Sequence, residues 1–193
     1  MNQRIYDLIE RRKKWIAINQ ENGFEEGIKN LLTELYPDSA HFVFELLQNA
    51  EDAKATAVRF RLLDNSLEFD HNGSRLFSID DVESITSIGR SCKKDDPTNI
   101  GKFGVGFKSV YSYTLTPEVI SGEYHFQIDD LVVPKIDGLD PKEISNELTR
   151  IIIPFNNPNK PSENAVAEVI KLLNSLNEST LLFLKNIKII ECS

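Results

Sequence analysis

Residues 99–109 read NIGKFGVGFKS, which sets Gly101, Gly104 and Gly106 in a GxxGxG pattern directly ahead of an apolar, helix-compatible run. Glycines at that spacing let the backbone turn tightly and approach a ligand, and the unpaired N–H groups at the start of a following helix point at an anion. The segment is a candidate phosphate-binding loop. By itself it fits a plain structural turn equally well.

A second pattern lies upstream in FVFELLQNAEDA, residues 42–53, where Glu45, Asn49 and Asp52 stand at i, i+4 and i+7. At helical spacing the three share one face, while Val43, Leu46, Leu47, Ala50 and Ala53 fall on the other. Pro37 marks a break before this helix, and Asp38 or Ser39 is placed to cap it. The helix can bury one stripe and carry carboxylate and amide groups along the opposite one. Taken alone, it also reads as an ordinary amphipathic helix with a solvated face.

The order of features is more specific than either motif. An ExxxNxxDA helix, a strand pair, an HNG turn at His71–Gly73, a polar stretch and then GKFGVGF resembles the GHKL ATPases: gyrase, the ninety-kilodalton heat-shock chaperones, histidine kinases and MutL. The wording is most similar to the chaperone branch and to sacsin-like ATP-binding modules, over about residues 24–155. The resemblance implies a Bergerat-type ATP-binding fold with ATP and Mg²⁺ as cofactors. It implies that Glu45 is the general base that activates a water, and that Asn49 is the side-chain ligand of Mg²⁺, the other positions of that hard ion being filled by phosphate and water. Asp52 and Ala53 match positions that line the pocket near ribose and base. Gly101, Gly104 and Gly106 match glycines whose loop covers the phosphates, with Lys102 adding a positive charge and Phe103, Val105 and Phe107 belonging to the same cofactor-binding loop. Gly73 belongs to the base-side turn, and Thr149, in ELTRIIIPF, matches a strand threonine that supports adenine through water.

The chain departs from that pattern at one position. The adenine-reading residue of the superfamily is usually an Asp two places before the turn glycine, and His71 stands there. A neutral imidazole has one acceptor nitrogen, so its tautomer decides whether it can still receive the adenine amino group. Asp70 is the alternative reader if the register shifts slightly. Residues 84–100 are polar, with one glycine and one proline, and have the chemistry of a lid. Ser91 and Lys93 are its candidates for phosphate contact.

Composition is compatible with this reading. A chain of 193 residues with 40% hydrophobic content can bury one sizeable core, so a single domain over 1–193 is expected, as the N-terminal module of a longer protein. No apolar run approaches the about 18 residues that span a bilayer, no secretory h-region is visible, and a cytoplasmic location is expected. Cys92 and Cys192 suggest no disulfide framework. A net charge of −8 argues against nucleic acid as the partner of this domain. The one basic run, Arg11 to Lys14, reads as a solvated helix end.

Periodicity places helices near 3–15, 24–35, 39–53, 79–86, 104–113 and 162–176. Strands are expected near 56–63, 66–70, 149–155 and 186–191, with a hairpin about Ser121–Gly122. That arrangement is α+β, a two-layer sandwich whose mixed, mostly antiparallel sheet is covered on one face by helices. The activity expected is Mg²⁺-dependent ATP binding and slow hydrolysis that drives lid closure, a nucleotide-dependent homodimer and action on an unidentified client protein. Two alternatives remain open: a nucleotide-binding interaction module with little turnover, and a histidine-kinase-type catalytic domain.

Overall fold

The computed structural model describes residues 3–23, 41–87, 106–140, 144, 145 and 147–193. The elements are α1 (Gln3–Glu21), α2 (His41–Asp52), β1 (Ala57–Leu63), β2 (Ser66–His71), α3 (Ile79–Ile85), a 3₁₀ helix (Gly106–Ser112), β3 (Glu118–Ser121), β4 (Tyr124–Asp129), β5 (Val133–Lys135), β6 (Thr149–Pro154), α4 (Ser162–Ser175), α5 (Glu178–Leu182) and β7 (Ile189–Cys192). The expected helix at 24–35 and most of the expected lid lie outside the described residues.

The strands form one seven-stranded sheet in the order β5-β4-β3-β6-β2-β1-β7. Every neighbouring pair is antiparallel except β1 and β7. Strand alternation sorts the side chains into two faces. Val58 and Phe60, Leu67 and Phe69, Ile151 and Ile153, Val119 and Phe126 turn inward and are buried. They meet Ile5, Leu8 and Ile9 of α1, the apolar stripe of α2, Phe107 and Val110 of the 3₁₀ helix, and Ala165 and Val169 of α4 in one core. Phe60 and Phe69 pack with ring centroids 4.7 Å apart, and each buried ring contributes about 1.5–3 kcal/mol of transfer free energy. The outer face carries charge instead. Arg61 pairs with Glu68 and Asp70, Arg150 with Asp70, and His125 with Glu118.

Helix α3 begins where the sequence indicates, with a capping box in which Ser78 accepts from the backbone of Asp81 and the Asp81 carboxylate accepts in return from Ser78 N–H. Residues 84–87 belong to its buried end rather than to a polar lid, because Thr86 and Ser87 return their hydroxyls to the carbonyls of Val82 and Glu83. Helix α1 runs on to Glu21 because Asn19 and Asn22 bond back to the carbonyls of Trp15 and Ile18, each at 2.7 Å, so its polar tail stays helical. The basic run is not wholly solvated either: Arg11 pairs with Glu83, and Arg12 donates to Glu83 O and Ser87 Oγ, tying α1 to α3. The β3–β4 hairpin turns at Gly122, whose φ of +57° suits a two-residue loop. Strand β5 contains Pro134 and sits at the sheet edge, where a missing N–H is tolerated.

Candidate functional site

The stripe of α2 facing the core is buried as the spacing indicates, and Ala53 just beyond it is 4% exposed. The opposite, polar stripe is not a solvated face. Asn49 is 6% exposed, and Glu45 and Asp52 are half-buried. The Oδ2 atom of Asp52 is fully buried and has no hydrogen-bond partner among the described residues. A buried acceptor left unmade costs desolvation, so such an atom marks a place where a donor from outside the described chain is wanted.

Two close approaches bring the separate sequence motifs together. Gly106, the last glycine of the loop, lies against Glu45: a Cβ placed on it would fall 1.8 Å from Glu45 Oε2 and 2.2 Å from its Cδ. Only glycine admits the carboxylate there. At the other end of α2, Gly73 lies against Ala53, where an added Cβ would meet the Ala53 Cβ at 2.7 Å and its carbonyl oxygen at 2.8 Å. The HNG turn is held in that position by its middle residue. Asn72 accepts the N–H groups of Thr56 and Ala57 at 2.9 and 3.0 Å and donates to Thr56 Oγ1. The three turn residues therefore divide the work: Asn72 clamps, Gly73 fits, and His71 faces inward.

His71 pairs in register with Thr149 of β6, which pairs with Ser121 of β3, so the three side chains form a row on the inner face of the sheet. The Thr149 hydroxyl is fully buried and shares a 2.6 Å hydrogen bond with Ser121 Oγ, which also accepts from Phe77 N–H. His71 is 4% exposed, and its Nδ1 accepts the Gly73 N–H at 3.1 Å. Burial lowers its pKa to about 4, against the opposing pull of Asp70, so the ring is neutral at pH 7. Asp70 itself is removed from the site. One residue along a strand it points to the opposite face, where Arg150 grips it at 2.7 and 2.9 Å and Arg61 bonds it at 3.1 Å. The expectation that Asp70 substitutes as a base reader is therefore corrected: that move would flip the strand and break three ionic hydrogen bonds.

Three contributors carried no functional signal in the sequence. Glu51, between Asn49 and Asp52, accepts the N–H groups of Lys185, Asn186 and Ile187 at 2.8–3.1 Å and the Asn186 side-chain amide, fixing α2 to the segment that leads into β7. Burial raises its pKa, but these hydrogen bonds outweigh burial and the net shift is downward. Lys108 is buried and donates to the carbonyls of Ile85 and Leu131 at 2.9 and 2.6 Å, and burial, helped by the charge of Arg12, lowers its pKa to about 7. Ser121 was visible only as a hairpin residue. Phe107 has its ring in the core, so its contribution to a ligand is limited to backbone. Ser91, Lys93, Gly101, Lys102, Phe103, Gly104 and Val105 lie outside the described residues.

Acid is expected to weaken this arrangement in two stages. The unfolded chain protonates His71 near 6.5 whereas the folded chain refuses the proton down to about 4, so stability falls as pH drops through that window. Glu51, held below its ordinary 4.5, stabilises the fold above that value and loses its contribution as pH falls through its folded pKa. Thermal midpoints measured from pH 7 to 3 should show both limbs, with His71→Asn flattening the upper and Glu51→Gln the lower. A midpoint that stays level down to pH 4 contradicts the placement of His71.

Residues 67–151, from β2 through β6 and including the HNG turn and the glycine loop, match the Sacsin domain family model. This stretch is similar to that domain, and α2 lies outside it. Among individual proteins, sacsin from Homo sapiens is 38% identical over 141 residues, covering 58% of this chain and 3% of sacsin. Protein NO VEIN from Arabidopsis thaliana is 33% identical over 108 residues, covering 53% of this chain and 4% of that protein. The chain thus spans a very small part of the relatives it matches. No described helix is long and apolar enough to cross a membrane.

Proposed function

We propose that the chain is an ATP-binding domain of GHKL type that hydrolyses ATP slowly with Mg²⁺. The observation that carries this reading is the abutment of Gly106 on the carboxylate of Glu45. Two motifs some sixty positions apart, whose order resembles the GHKL pattern, converge on one point, and the glycine is the only residue type that fits the contact. Asp52 Oδ2, buried and without a hydrogen-bond partner among the described residues, supports the same reading, since a ligand or its water would supply a donor there. Similarity to the Sacsin domain is in keeping with it.

In this arrangement the residues divide by position along α2. Glu45, beside Gly106, orients a water and takes its proton. Asn49, one turn on, is the residue that would hold Mg²⁺, which supplies charge neutralisation for the phosphates. Asp52, Ala53, His71 and Thr149 enclose the base side, and Ser91 and Lys93 belong to a segment that closes over the phosphates. A cytoplasmic setting, closure-linked dimerisation and a protein client complete the proposal.

Steady-state phosphate release from ATP tests it: the chain should release phosphate slowly, and chelation of Mg²⁺ should stop the release. Phosphate that appears on a histidine of a partner protein instead of in solution would favour the kinase reading. Tight binding with no release from the intact chain would favour the interaction-module reading.

A further inference from the structure

We infer that His71 offers a hydrogen-bond donor, not an acceptor, to the base of a bound nucleotide, so that the site reads a ring acceptor of a purine and is indifferent to its 6-amino group. The inference rests on the nucleotide-site reading above and deepens it.

A backbone N–H can only donate, so the Gly73 N–H bonded to His71 Nδ1 requires that nitrogen to be the bare one. The ring is neutral, and its single proton is then on Nε2. Among the described residues no other group bonds to that N–H. It belongs to the base end of the site by placement. Glu45 and Gly106 mark the phosphate end, and seven residues of helix, about 10 Å, separate Glu45 from Asp52. Ala53, the next residue, and His71 Nδ1 both lie against Gly73. A cavity of about 10 Å³, room for one water, adjoins His71 between Ala53, Arg75, Leu76, Phe77 and Asp81.

The turn itself explains the change of polarity. An Asp at this position would accept the N–H two residues on through one oxygen, as such side chains do in turns, and present its second oxygen to the base. Histidine reproduces the first bond with Nδ1 and replaces the second acceptor with N–H. Asp70, the carboxylate next to it on the same strand, is committed to Arg150 and Arg61 on the other face.

Asn and Asp have the same shape and differ only in what they present. In His71→Asn the side-chain oxygen accepts from Gly73 and the amide N–H₂ faces the base, keeping the donor. In His71→Asp a carboxylate oxygen faces the base. Calorimetric titration with ATP and with purine riboside triphosphate, which lacks only the 6-amino group, separates them. Wild type and His71→Asn should bind the two nucleotides within about threefold of each other. His71→Asp should lose about tenfold or more when the amino group is deleted, the worth of one hydrogen bond to a charged acceptor. A loss beyond threefold in the wild type overturns the inference, as does an equal response of the Asn and Asp variants. Ring-nitrogen NMR shifts should show the His71 proton on Nε2 without nucleotide. A proton on Nδ1 overturns the inference while leaving the nucleotide site standing, and binding of neither triphosphate by the wild type overturns both.

Discussion

Replacing Glu45 with Gln is expected to lower ATP hydrolysis by about a hundredfold or more while changing nucleotide affinity by less than about threefold, since general-base catalysis contributes on that scale and ground-state binding does not depend on it. Gln keeps the length and planar end of the side chain, so the contact with Gly106 is preserved. What it cannot do is take a proton. Phosphate release measured beside a binding titration separates the two quantities. A parallel loss of binding and turnover would mean that Glu45 holds the ligand or the fold, and unchanged turnover would leave the chain as a binding module.

The second large effect comes from the other side of the same contact. In Gly106→Ala the new methyl would stand 1.8 Å from Glu45 Oε2, far inside contact distance, so one of the two must move. The obstacle is the end of a flexible side chain rather than backbone, and the carboxylate is the part that yields. The fold should survive with its thermal midpoint shifted by only a few degrees. Displacement of a catalytic group by about 1 Å is enough to cost on the order of a hundredfold in rate, so hydrolysis should fall nearly as far as in the Glu45 variant. Because both changes disable one group, the double variant should lose little more than either alone. Additive losses in that cycle would show that Gly106 and Glu45 act separately, against the geometry.

Much of the fold was legible because its signals are local and periodic. TAVRFRLL alternates with period two, and β1 presents Val58 and Phe60 to the core and Arg59 and Arg61 outward. Ser78 and Asp81 announce the start of α3 by chemistry internal to four residues. The shortest elements were not legible. Strand β5 carries three residues and a proline, and exists because β4 offers it an edge. Helix α5, of five residues, was likewise missed, although Asn177 caps it.

The site divides in the same way. The residue types and spacing of α2, and the turn at His71–Gly73, could be read directly. Burial of the polar stripe could not, because an amphipathic pattern states which residues are polar but not whether another element covers them. The roles of neighbouring Asp70 and His71 were separable only once strand register put them on opposite faces, one with two arginines and one beside Thr149. Glu51 is indistinguishable in sequence from a solvated helix acid. Its function depends on three N–H groups that arrive from more than a hundred residues away.

Calorimetric titration of the 193-residue chain with a non-hydrolysable ATP analogue, with and without Mg²⁺, asks whether α2 and the glycine loop form a nucleotide site. Saturable binding of one equivalent that weakens when Mg²⁺ is chelated is the expected result. A folded chain that shows no saturable binding at millimolar analogue would contradict the assignment of α2 and the glycine loop as a nucleotide site.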